Sequence, residues 1–458
     1  MTNKFTNLWR TAIVGVVACA LATCQHKDAP TSFDVDAALS QCSKQLRRTM
    51  SQLSATGHID TTMMPRNVAS GDTAWSLRPV CAEEWCSGFW PGILWMGYQV
   101  ESERQLSGSG SADDERYLSS LKKAAVESTV AMRRIVDAPV FDHDLGFLIF
   151  CSAGTGLRVL DAELQRKDLP ADVRAADEAA ADVFRTLCLR AADSLTTLFR
   201  PNVGTILSWP RNIQMFGGHN TIMDNMINLE LLCWAGHTDI AIRHADTTMQ
   251  HHFRPDGSSY HVAVYDTLTG DFIRGVTHQG YADSSMWARG QAWAIYGFTT
   301  MYRFTRDQRF LSMAERAADI FLKRLGETSD DWVPYWDFDD PRIHDPKAPR
   351  PKDASAAAVV ASALLELCQY AGQGLDEAAD SAEDGGHAGS KYFVAAEEML
   401  RCLASSEYQA GKANPAFLLH STGNLPAGSE IDVPIVYADY YYLEALLRYR
   451  HLIQTPNP

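Results

Sequence analysis

The densest cluster of side chains able to bind or transform a polar ligand lies in residues 277–293, THQGYADSSMWARGQAW. This short stretch combines eight polar or aromatic groups: His278, Gln279, Tyr281, Asp283, Trp287, Arg289, Gln291 and Trp293. An ordinary buried helix gains nothing from so many polar groups among flat rings. A sugar site needs both, because hydroxyls and carboxylates require hydrogen-bond partners and ring faces require aromatic surfaces. The segment therefore predicts the lining of a carbohydrate pocket.

Two aspartates are the candidates for acid–base chemistry. Asp144 begins an apolar stretch in residues 143–147, HDLGF, and Asp224 lies about one turn into the apolar run 221–229, TIMDNMINL. A helix-capping role is the alternative for both, and it is stronger for Asp144. A carboxyl group among apolar side chains keeps its proton to higher pH, and a nearby second carboxylate raises its pKa further. A general acid that works at neutral pH has this property.

The elements that position these residues are predicted to be helices, because apolar residues recur at helical spacing along most of the chain. About twelve helices are expected, near 34–54, 89–103, 114–135, 145–162, 172–198, 221–236, 238–252, 285–304, 307–325, 354–371, 389–404 and 433–450. The strand-like exceptions are short, and residues 259–265 and 272–273, joined through 266–270, predict a hairpin over one mouth.

Several of these helices begin with a polar cluster and then turn apolar, whereas their partners are alanine-rich and charged on one face. Inner and outer helices that alternate in this way predict an all-α fold, an (α/α)6 barrel with a few short loop strands. An open helical solenoid is the alternative, but no repeat of fixed period is present. Residues 375–390 are expected to form a solvated loop rather than a domain linker.

Composition excludes several classes of function. The formal charge of −15 argues against nucleic-acid binding and means that an anionic substrate needs a locally cationic pocket. No Cys and His spacing typical of a metal site stands out. Most cysteines are expected to be buried thiols, and Cys81 and Cys86 form the one close pair in the sequence.

The N-terminus has the pattern of an export signal. Lys4 and Arg10 precede an apolar run over 11–23, which is too short to span a bilayer comfortably. Residues 21–24, LATC, resemble a bacterial lipobox, from which Thr23 departs. We expect a lipoprotein signal peptide over 1–24, a lipid anchor at Cys24 and one catalytic domain over 25–458. This pattern predicts that the protein is exported and anchored in the periplasm or at the outer membrane. An ordinary secreted protein is the alternative.

Eight motifs together resemble the unsaturated glucuronyl hydrolases, glycoside hydrolase family 88. They occur in the family's order over roughly residues 85 to 450, at 88–95 (GFWPGILW), 143–147, 223–228, 256–261, 277–281, 287–293, 333–338 and 353–357. Each motif alone is weak, but the ordered set is specific. The resemblance implies an (α/α)6 barrel, which agrees with the fold predicted from the helices.

The resemblance also implies a substrate and a mechanism. The substrate is an oligosaccharide from a polysaccharide lyase that ends in a 4,5-unsaturated uronic acid, with glycosaminoglycan fragments as the expected source. The implied reaction needs no metal or organic cofactor. Asp224 matches the general acid and base, which protonates C4 and then deprotonates the water that adds at C5. Asp144 matches the second essential carboxylate, which is expected to hold ring hydroxyls and to keep the pKa of Asp224 high.

The remaining matches are binding groups. His261, Gln279 and Arg289 are similar to the family's polar contacts to the uronic ring and its carboxylate. Four tryptophans are candidate platforms for sugar faces, with an ordinary core position as the alternative for each: Trp90, Trp209, Trp287 and Trp293. His143 and His278 are expected to orient functional groups rather than to react.

Three alternatives to this function remain open at the level of sequence. An unsaturated rhamnogalacturonyl hydrolase of pectin degradation shares the barrel and the mechanism. A lipid-anchored sugar-binding protein without catalysis suits the tryptophans and Arg289, but it does not account for Asp144 and Asp224. An ordinary inverting glycosidase on the same barrel would cleave saturated glucuronides as well.

Overall fold

Helices dominate the structure, a computed structural model that describes residues 33–108, 111–371 and 390–454. The α-helices of this part of the chain are α1 (Val35–Leu53), α2 (Phe89–Leu106), α3 (Ala112–Ala131), α4 (Arg133–Asp137), α5 (Thr155–Leu164), α6 (Ala171–Thr196), α7 (Ile213–Phe216), α8 (Asn228–Trp234), α9 (Thr238–His251), α10 (Ala288–Thr305), α11 (Gln308–Thr328), α12 (Ala354–Leu367), α13 (Lys391–Leu403) and α14 (Val436–Gln454). A π-helix, Gly146–Gly154, runs directly into α5, and a 3₁₀ turn, Met223–Ile227, runs directly into α8. Two further 3₁₀ turns are Pro210–Asn212 and Pro341–His344.

Six of these elements form an inner ring in which each packs against the next. The order is α2, the π-helix with α5, the 3₁₀ turn with α8, α10, α12 and α14, and α14 packs back against α2. Outside them, α3, α6, α9, α11 and α13 each follow and pack on an inner helix, and α1 packs on α14. The prediction of an (α/α)6 barrel is confirmed by this arrangement of six helix pairs.

The sequence explains which helices lie inside. Every residue of α12 is buried, and its alanine-, valine- and leucine-rich sequence has no polar face. By contrast, α11 buries one face that includes Phe310 and Phe321 and exposes charged residues on the other, as an outer helix should. Glycine allows two inner elements to approach closely, because a Cβ on Gly88 would lie 2.1 Å from the carbonyl oxygen of Phe147 in the π-helix.

The strands are short and lie at the loops. They pair as β1 (Met63–Asn67) with β2 (Ser76–Pro79), as β3 (Phe199–Arg200) with β4 (Thr205–Ile206), and as a three-stranded antiparallel sheet of β5 (His219–Ile222), β6 (Val262–Tyr265) and β7 (Phe272–Val276). The predicted hairpin is confirmed as β6 and β7. Its additional partner β5 corrects the helix predicted over 221–236, since residues 219–222 pair with β6 and the helix begins only at Asn228.

Several further predictions concern the whole chain. By their contacts, the described residues from Val35 onward belong to one unit. The predicted signal peptide over 1–24, its Cys24 and almost all of the predicted loop 375–390 lie outside the described residues. Within the described residues, all eight cysteines are free thiols, six of them buried, so Cys81 and Cys86 are not bonded to each other. None of the described helices combines the length and apolarity that a membrane span requires.

Candidate active site

A cavity of about 340 Å³ lies where the N-terminal ends of the inner helices meet. Trp85 precedes α2, Asp144 precedes the π-helix, Asp224 precedes α8, and Arg289 and Tyr437 stand in the first turns of α10 and α14. The helix N-termini direct the positive ends of their dipoles towards this region, which favours an anionic ligand. Two larger clefts, of about 430 and 740 Å³, contain neither aspartate.

Asp224 lies in the 3₁₀ turn and is 8% exposed. Burial raises the pKa of its carboxyl group to about 7, although the charge of Arg289 and the indole of Trp293 act in the opposite direction. Its Oδ2 is buried without a hydrogen-bond partner, and His261 Nε2 is 3.7 Å away. At neutral pH this group therefore exchanges between acid and conjugate base.

Asp144 precedes the π-helix, whose N-cap residue is Leu145 and which has no side-chain cap, so the capping alternative does not apply. Burial raises the pKa of Asp144 well above its ordinary value, and the negative charges of Asp142 and Asp224 raise it further. The sequence predicted that the charge of Asp144 raises the pKa of Asp224. The repulsion between the two carboxylates is mutual, and in the structure burial is the largest cause of the raised pKa of each of them.

A buried chain of amide hydrogen bonds holds the two aspartate-bearing segments together. The backbone N–H of Gly146 donates to Asn228 Oδ1 at 2.8 Å, and Asn228 Nδ2 donates to Asn225 Oδ1 at 2.7 Å. A Cβ on Gly146 would lie 2.4 Å from the Asn228 Oδ1 atom. The HDLGF and MDNMIN motifs thus fit each other, and they fix the positions of Asp144 and Asp224.

His261 faces Asp224 as a neutral imidazole of defined tautomer. Its Nδ1 accepts backbone N–H groups of His278 at 3.1 Å and Gln279 at 3.2 Å, so the ring proton is on Nε2, the nitrogen nearest Asp224. Burial and the neighbouring His278 lower the pKa of His261 well below its ordinary value, which excludes the imidazolium form at neutral pH.

The segment that carries His261 is held from α10. Gln291 Oε1 accepts the backbone N–H of Ser259 at 2.9 Å, and Gln291 Nε2 donates to the carbonyl of Gly257 at 3.1 Å. Gln279 lines the cavity and donates through Nε2 to the carbonyl of Gly423 at 3.2 Å. The clustered polar residues at 277–293 are therefore partly ligand-facing and partly scaffold.

Arg289 lines the cavity but is already hydrogen-bonded within the protein. Its Nη1 donates to Asp353 Oδ2 and to the Thr422 carbonyl, both at 2.7 Å, and its Nη2 donates to the Gly423 carbonyl at 2.6 Å. The positive charge of Arg289, a predicted contact to the uronate, is thus neutralised by the fully buried carboxylate of Asp353. Its guanidinium also packs over the ring of Trp287 at 4.7 Å, which fixes it further.

The four predicted tryptophan platforms divide unequally. Trp209 lines the cavity and has one face stacked on Phe216, with ring centroids 5.8 Å apart. Trp90, Trp287 and Trp293 do not line it and are 2%, 3% and 0% exposed, so the prediction is corrected for these three. Trp287 packs on the His261 ring at 4.5 Å, and the Trp293 indole faces Asp224.

The cavity wall also contains residues that the sequence prediction missed. Trp85 lies directly before the GFWPGILW motif, which was the available signal for it, and its ring is 5.0 Å from that of Tyr437. Two further arginines supply cationic groups. Arg66 donates to both oxygens of Glu430 at 2.7 Å, and Arg211, which is 45% exposed at its side chain, donates to Asp142 at 2.9 Å. His143 and His278 also lie in the wall, next to the aspartates and to His261.

One group of side chains in the described part of the chain has donor atoms close enough together for a metal ion, namely Asp142, His143 and Asp144, within 4.8 Å of one another. Their geometry serves other contacts. Asp142 is paired with Arg211, and His143 Nδ1 bonds to the Ser208 carbonyl at 3.1 Å. We therefore assign these residues to the acid–base site.

Comparison with known proteins agrees with the geometry, although no protein-family model matches the chain. A protein of Formosa agariphila named unsaturated glucuronyl hydrolase is 37% identical, and the match covers 82% of each chain. An unsaturated chondroitin disaccharide hydrolase of Streptococcus pyogenes is 30% identical over 80% of this chain and 81% of its own length. The crystal structure of an unsaturated glucuronyl hydrolase specific for heparin superposes with a TM-score of 0.72 at 36% identity, covering 92% of this chain and 98% of that one. The chain is therefore an enzyme that belongs to the unsaturated glucuronyl hydrolases, glycoside hydrolase family 88.

Proposed function

We propose that this enzyme removes the terminal 4,5-unsaturated glucuronic acid from glycosaminoglycan-derived oligosaccharides, with Asp224 as the general acid and base. The observation that carries the proposal is the pKa of Asp224, which burial raises to about 7 in a cavity that also contains Asp144. A carboxyl group of this pKa carries a proton at neutral pH and accepts one back in the same cycle.

The reaction begins at the double bond of the substrate. The Asp224 carboxyl gives its proton to C4, and the C4=C5 electron pair forms the new C4–H bond. This leaves a cation at C5 that the ring oxygen stabilises. Water then attacks C5, and the Asp224 carboxylate takes the proton that the water loses. The hemiketal formed at C5 opens and releases the remainder of the oligosaccharide, so each turnover consumes one water molecule.

We assign to Asp144 the role of holding the sugar while this proton moves. Burial raises its pKa well above the ordinary value, which favours a protonated carboxyl group that can donate to a ring hydroxyl. Repulsion between the Asp144 and Asp224 carboxylates favours one charge at most in the pair during the reaction. Trp209 supplies the aromatic surface for the sugar face.

The anionic end of the substrate meets a cationic rim. Arg211 has one carboxylate partner and is 45% exposed, whereas Arg289 is 1% exposed and engaged by Asp353. We therefore assign the first electrostatic contact with the uronate to Arg211 and the helix N-termini. Gln279 and Arg289 are assigned to contact the uronate after it has entered the cavity that they line. The overall charge of −15 makes this local concentration of positive charge necessary.

A glycosaminoglycan source is supported by the names of the relatives, one a chondroitin disaccharide hydrolase and one an enzyme specific for heparin. A panel of unsaturated disaccharides of the chondroitin, heparin and pectic types, sulfated and unsulfated, tests it through the loss of the ultraviolet band of the enol acid. We expect turnover on the glycosaminoglycan members. Exclusive turnover of the pectic substrate contradicts the proposal.

The role of Asp224 is tested in heavy water with the Asp224→Asn variant as control. We expect one deuterium at C4 of the product from the wild-type enzyme and no turnover from the variant. The variant should still bind the disaccharide in a calorimetric titration, because the amide keeps the shape of the carboxyl group. A product without deuterium at C4 contradicts protonation of the alkene, and cleavage of a saturated glucuronide points to ordinary glycosidic hydrolysis.

We also propose that the enzyme is exported and lipid-anchored at Cys24. The apolar run over 11–23, followed by a cysteine in a lipobox-like sequence, supports this. Metabolic labelling with a radioactive fatty acid should mark the wild-type protein in the membrane fraction and leave the Cys24→Ala variant unlabelled. Equal labelling of the two proteins contradicts the anchor.

A further inference from the structure

Three buried polar atoms without hydrogen-bond partners converge on one carboxyl group. They are Asp224 Oδ2, His261 Nε2 and Trp293 Nε1. Buried polar atoms of native proteins are almost always paired, so three such atoms at one point require an explanation. Asp224 provides it, because the acceptor strength of this carboxyl changes during the catalytic cycle proposed above.

The two nitrogen atoms are both N–H donors. The Nδ1 of His261 is occupied as an acceptor of two backbone N–H groups, which places the ring proton on Nε2, 3.7 Å from Asp224 Oδ2. An indole nitrogen can only donate. The Trp293 indole lies against the same carboxyl and lowers its pKa, although it makes no hydrogen bond of ordinary geometry in this structure.

Neither donor is available for another role. The Trp293 side chain is 0% exposed and packed against Phe147 and Tyr441, with ring centroids 5.2 and 5.3 Å away. The His261 side chain is also fully buried, and Trp287 packs against its ring at 4.5 Å. Aromatic packing confines both N–H groups beside Asp224 before the reaction, so only a short approach is needed when charge develops.

We propose that His261 and Trp293 are positioning residues that form a two-donor cradle for the Asp224 carboxylate produced when this residue protonates C4. The proposal rests on the proposed role of Asp224 as the acid. In the resting enzyme the neutral carboxyl group is a weak acceptor and the donors stand off. After proton transfer the carboxylate accepts both N–H groups at about 2.8 Å, as charge-assisted hydrogen bonds are short. The transition state contains part of this stabilisation, so the cradle accelerates the protonation step.

Other groups around Asp224 do not replace the cradle. Arg289 of α10 is the charged group that lowers its pKa, and that guanidinium is neutralised by Asp353. Asp144, before the π-helix, is the other carboxyl group that interacts with Asp224, and His143 beside it has a pKa lowered by burial. The two neutral N–H groups are therefore the donors beside Asp224 that have no partner elsewhere among the described residues.

The test is the Trp293→Phe variant, which deletes one N–H and keeps an aromatic ring in the core. Because the donors favour the carboxylate, their loss raises the pKa of Asp224. We expect the alkaline limb of the profile of kcat/KM against pH to move upward by about one unit. At the acid plateau kcat should fall by about three- to tenfold with KM nearly unchanged, since the variant is a weaker stabiliser of the conjugate base.

The matched control is Trp95→Phe. Trp95 is also 0% exposed, but its indole donates to Thr129 Oγ1 at 2.9 Å, away from the cavity. The Trp95→Phe variant should lower the melting temperature without moving the alkaline limb of the profile of kcat/KM against pH. The His261→Asn variant removes the other donor, the Nε2–H group of the histidine ring. It should move the alkaline limb in the same direction as Trp293→Phe does. Either variant can serve as the test if the other one folds poorly.

Each outcome has a distinct meaning. A limb that stays in place or moves downward in Trp293→Phe and His261→Asn overturns the cradle, as does an equal shift in Trp95→Phe. The proposed function fails separately, through activity retained by Asp224→Asn. Inactive Asp224→Asn together with an unmoved limb in the tryptophan variant leaves Asp224 as the acid and refutes the cradle alone.

Discussion

Replacing Asp224 by Asn should stabilise the protein at alkaline pH while it abolishes turnover. Burial raises the folded-state pKa of Asp224 to about 7, whereas an aspartate in an unfolded chain titrates at about 3.9. The folded state therefore binds this proton more tightly. The corresponding stability is present in full below about pH 4 and is lost as pH rises through about 7.

The structure gives the magnitude. Each pKa unit corresponds to about 1.4 kcal/mol, so Asp224 lowers the free energy of unfolding, relative to a side chain that never ionises, by about 4 kcal/mol at pH 8 and by about 1.5 kcal/mol at pH 5. At pH 5 the loss arises because only the unfolded chain is ionised, whereas at pH 8 the folded chain must also bury the charge. An asparagine ionises in neither state and escapes both amounts. The stability advantage of Asp224→Asn over the wild type should thus grow by about 3 kcal/mol between pH 5 and pH 8.

The measurement is urea unfolding of both proteins at pH 5 and pH 8, followed by tryptophan fluorescence after reversibility has been established. Asp271→Asn is the matched control, because Asp271 is exposed in the loop between β6 and β7. It should give the same difference from wild type at both pH values. If the advantage of Asp224→Asn does not grow from pH 5 to pH 8, the carboxyl group does not hold its proton as the structure indicates, and the acid role loses its physical basis.

Three further predictions concern the residues that hold the site together. Asn228→Ala leaves the Gly146 N–H and the side-chain oxygen Oδ1 of Asn225 without partners, so urea unfolding should show that the free energy of unfolding falls by about 2–4 kcal/mol. The value of kcat should fall as well, because the two catalytic aspartates are no longer held in position. Gly88→Ala places a Cβ 2.1 Å from a backbone carbonyl of the π-helix, and its melting temperature should drop by several degrees, with no loss expected for Ala at the open position Gly326. Arg289→Lys replaces the two separate nitrogens that bind Asp353 and the carbonyls with a single ammonium group, and unfolding should show a loss of about 3–5 kcal/mol, more than Arg309→Lys at the surface gives.

The helical ring was predictable from the sequence because its physics is local. Inner helices such as α12 are apolar on every side and outer helices such as α11 on one side, and that difference is visible in the order of residues. The strand β5 was not predictable in the same way. Its partner β6 lies about 40 residues further along the chain, and the pairing turns residues 219–222 away from the helix that their spacing suggested.

The roles of individual site residues depended on tertiary contacts. Sequence motifs predicted that Trp209, Trp287 and Trp293 lie at the site. Tertiary packing decides that Trp209 lines the cavity, whereas Trp293 does not line it and contacts Asp224. The neutralisation of Arg289 comes from Asp353, which is 64 residues away, and from the loop at 422–423. No local sequence pattern reveals that Arg289 is neutralised, because its partners come from the start of α12 and from the loop before α14.

Among the described residues, buried acids have ion-pair or hydrogen-bond partners at both ends of the ring, and the one exception identifies the working end. At the C-terminal ends of the inner helices, Arg303 joins Glu230 and Glu366 at 2.7 and 2.9 Å, so the carboxylates there are paired. At the N-terminal ends, the buried Asp439 has a pKa raised to about 8, yet both of its oxygens accept backbone N–H groups.

Asp224 differs from all of these acids, because its Oδ2 has neither an arginine nor a hydrogen-bond partner within the described structure. A fold that pairs its other buried carboxylates and leaves this one unpaired accepts a loss of stability at one position. Natural selection retains such a loss where a function depends on it. A proton that must leave for C4 and return from water is a function of that kind, since an arginine at hydrogen-bonding distance would lower the pKa and keep Asp224 ionised.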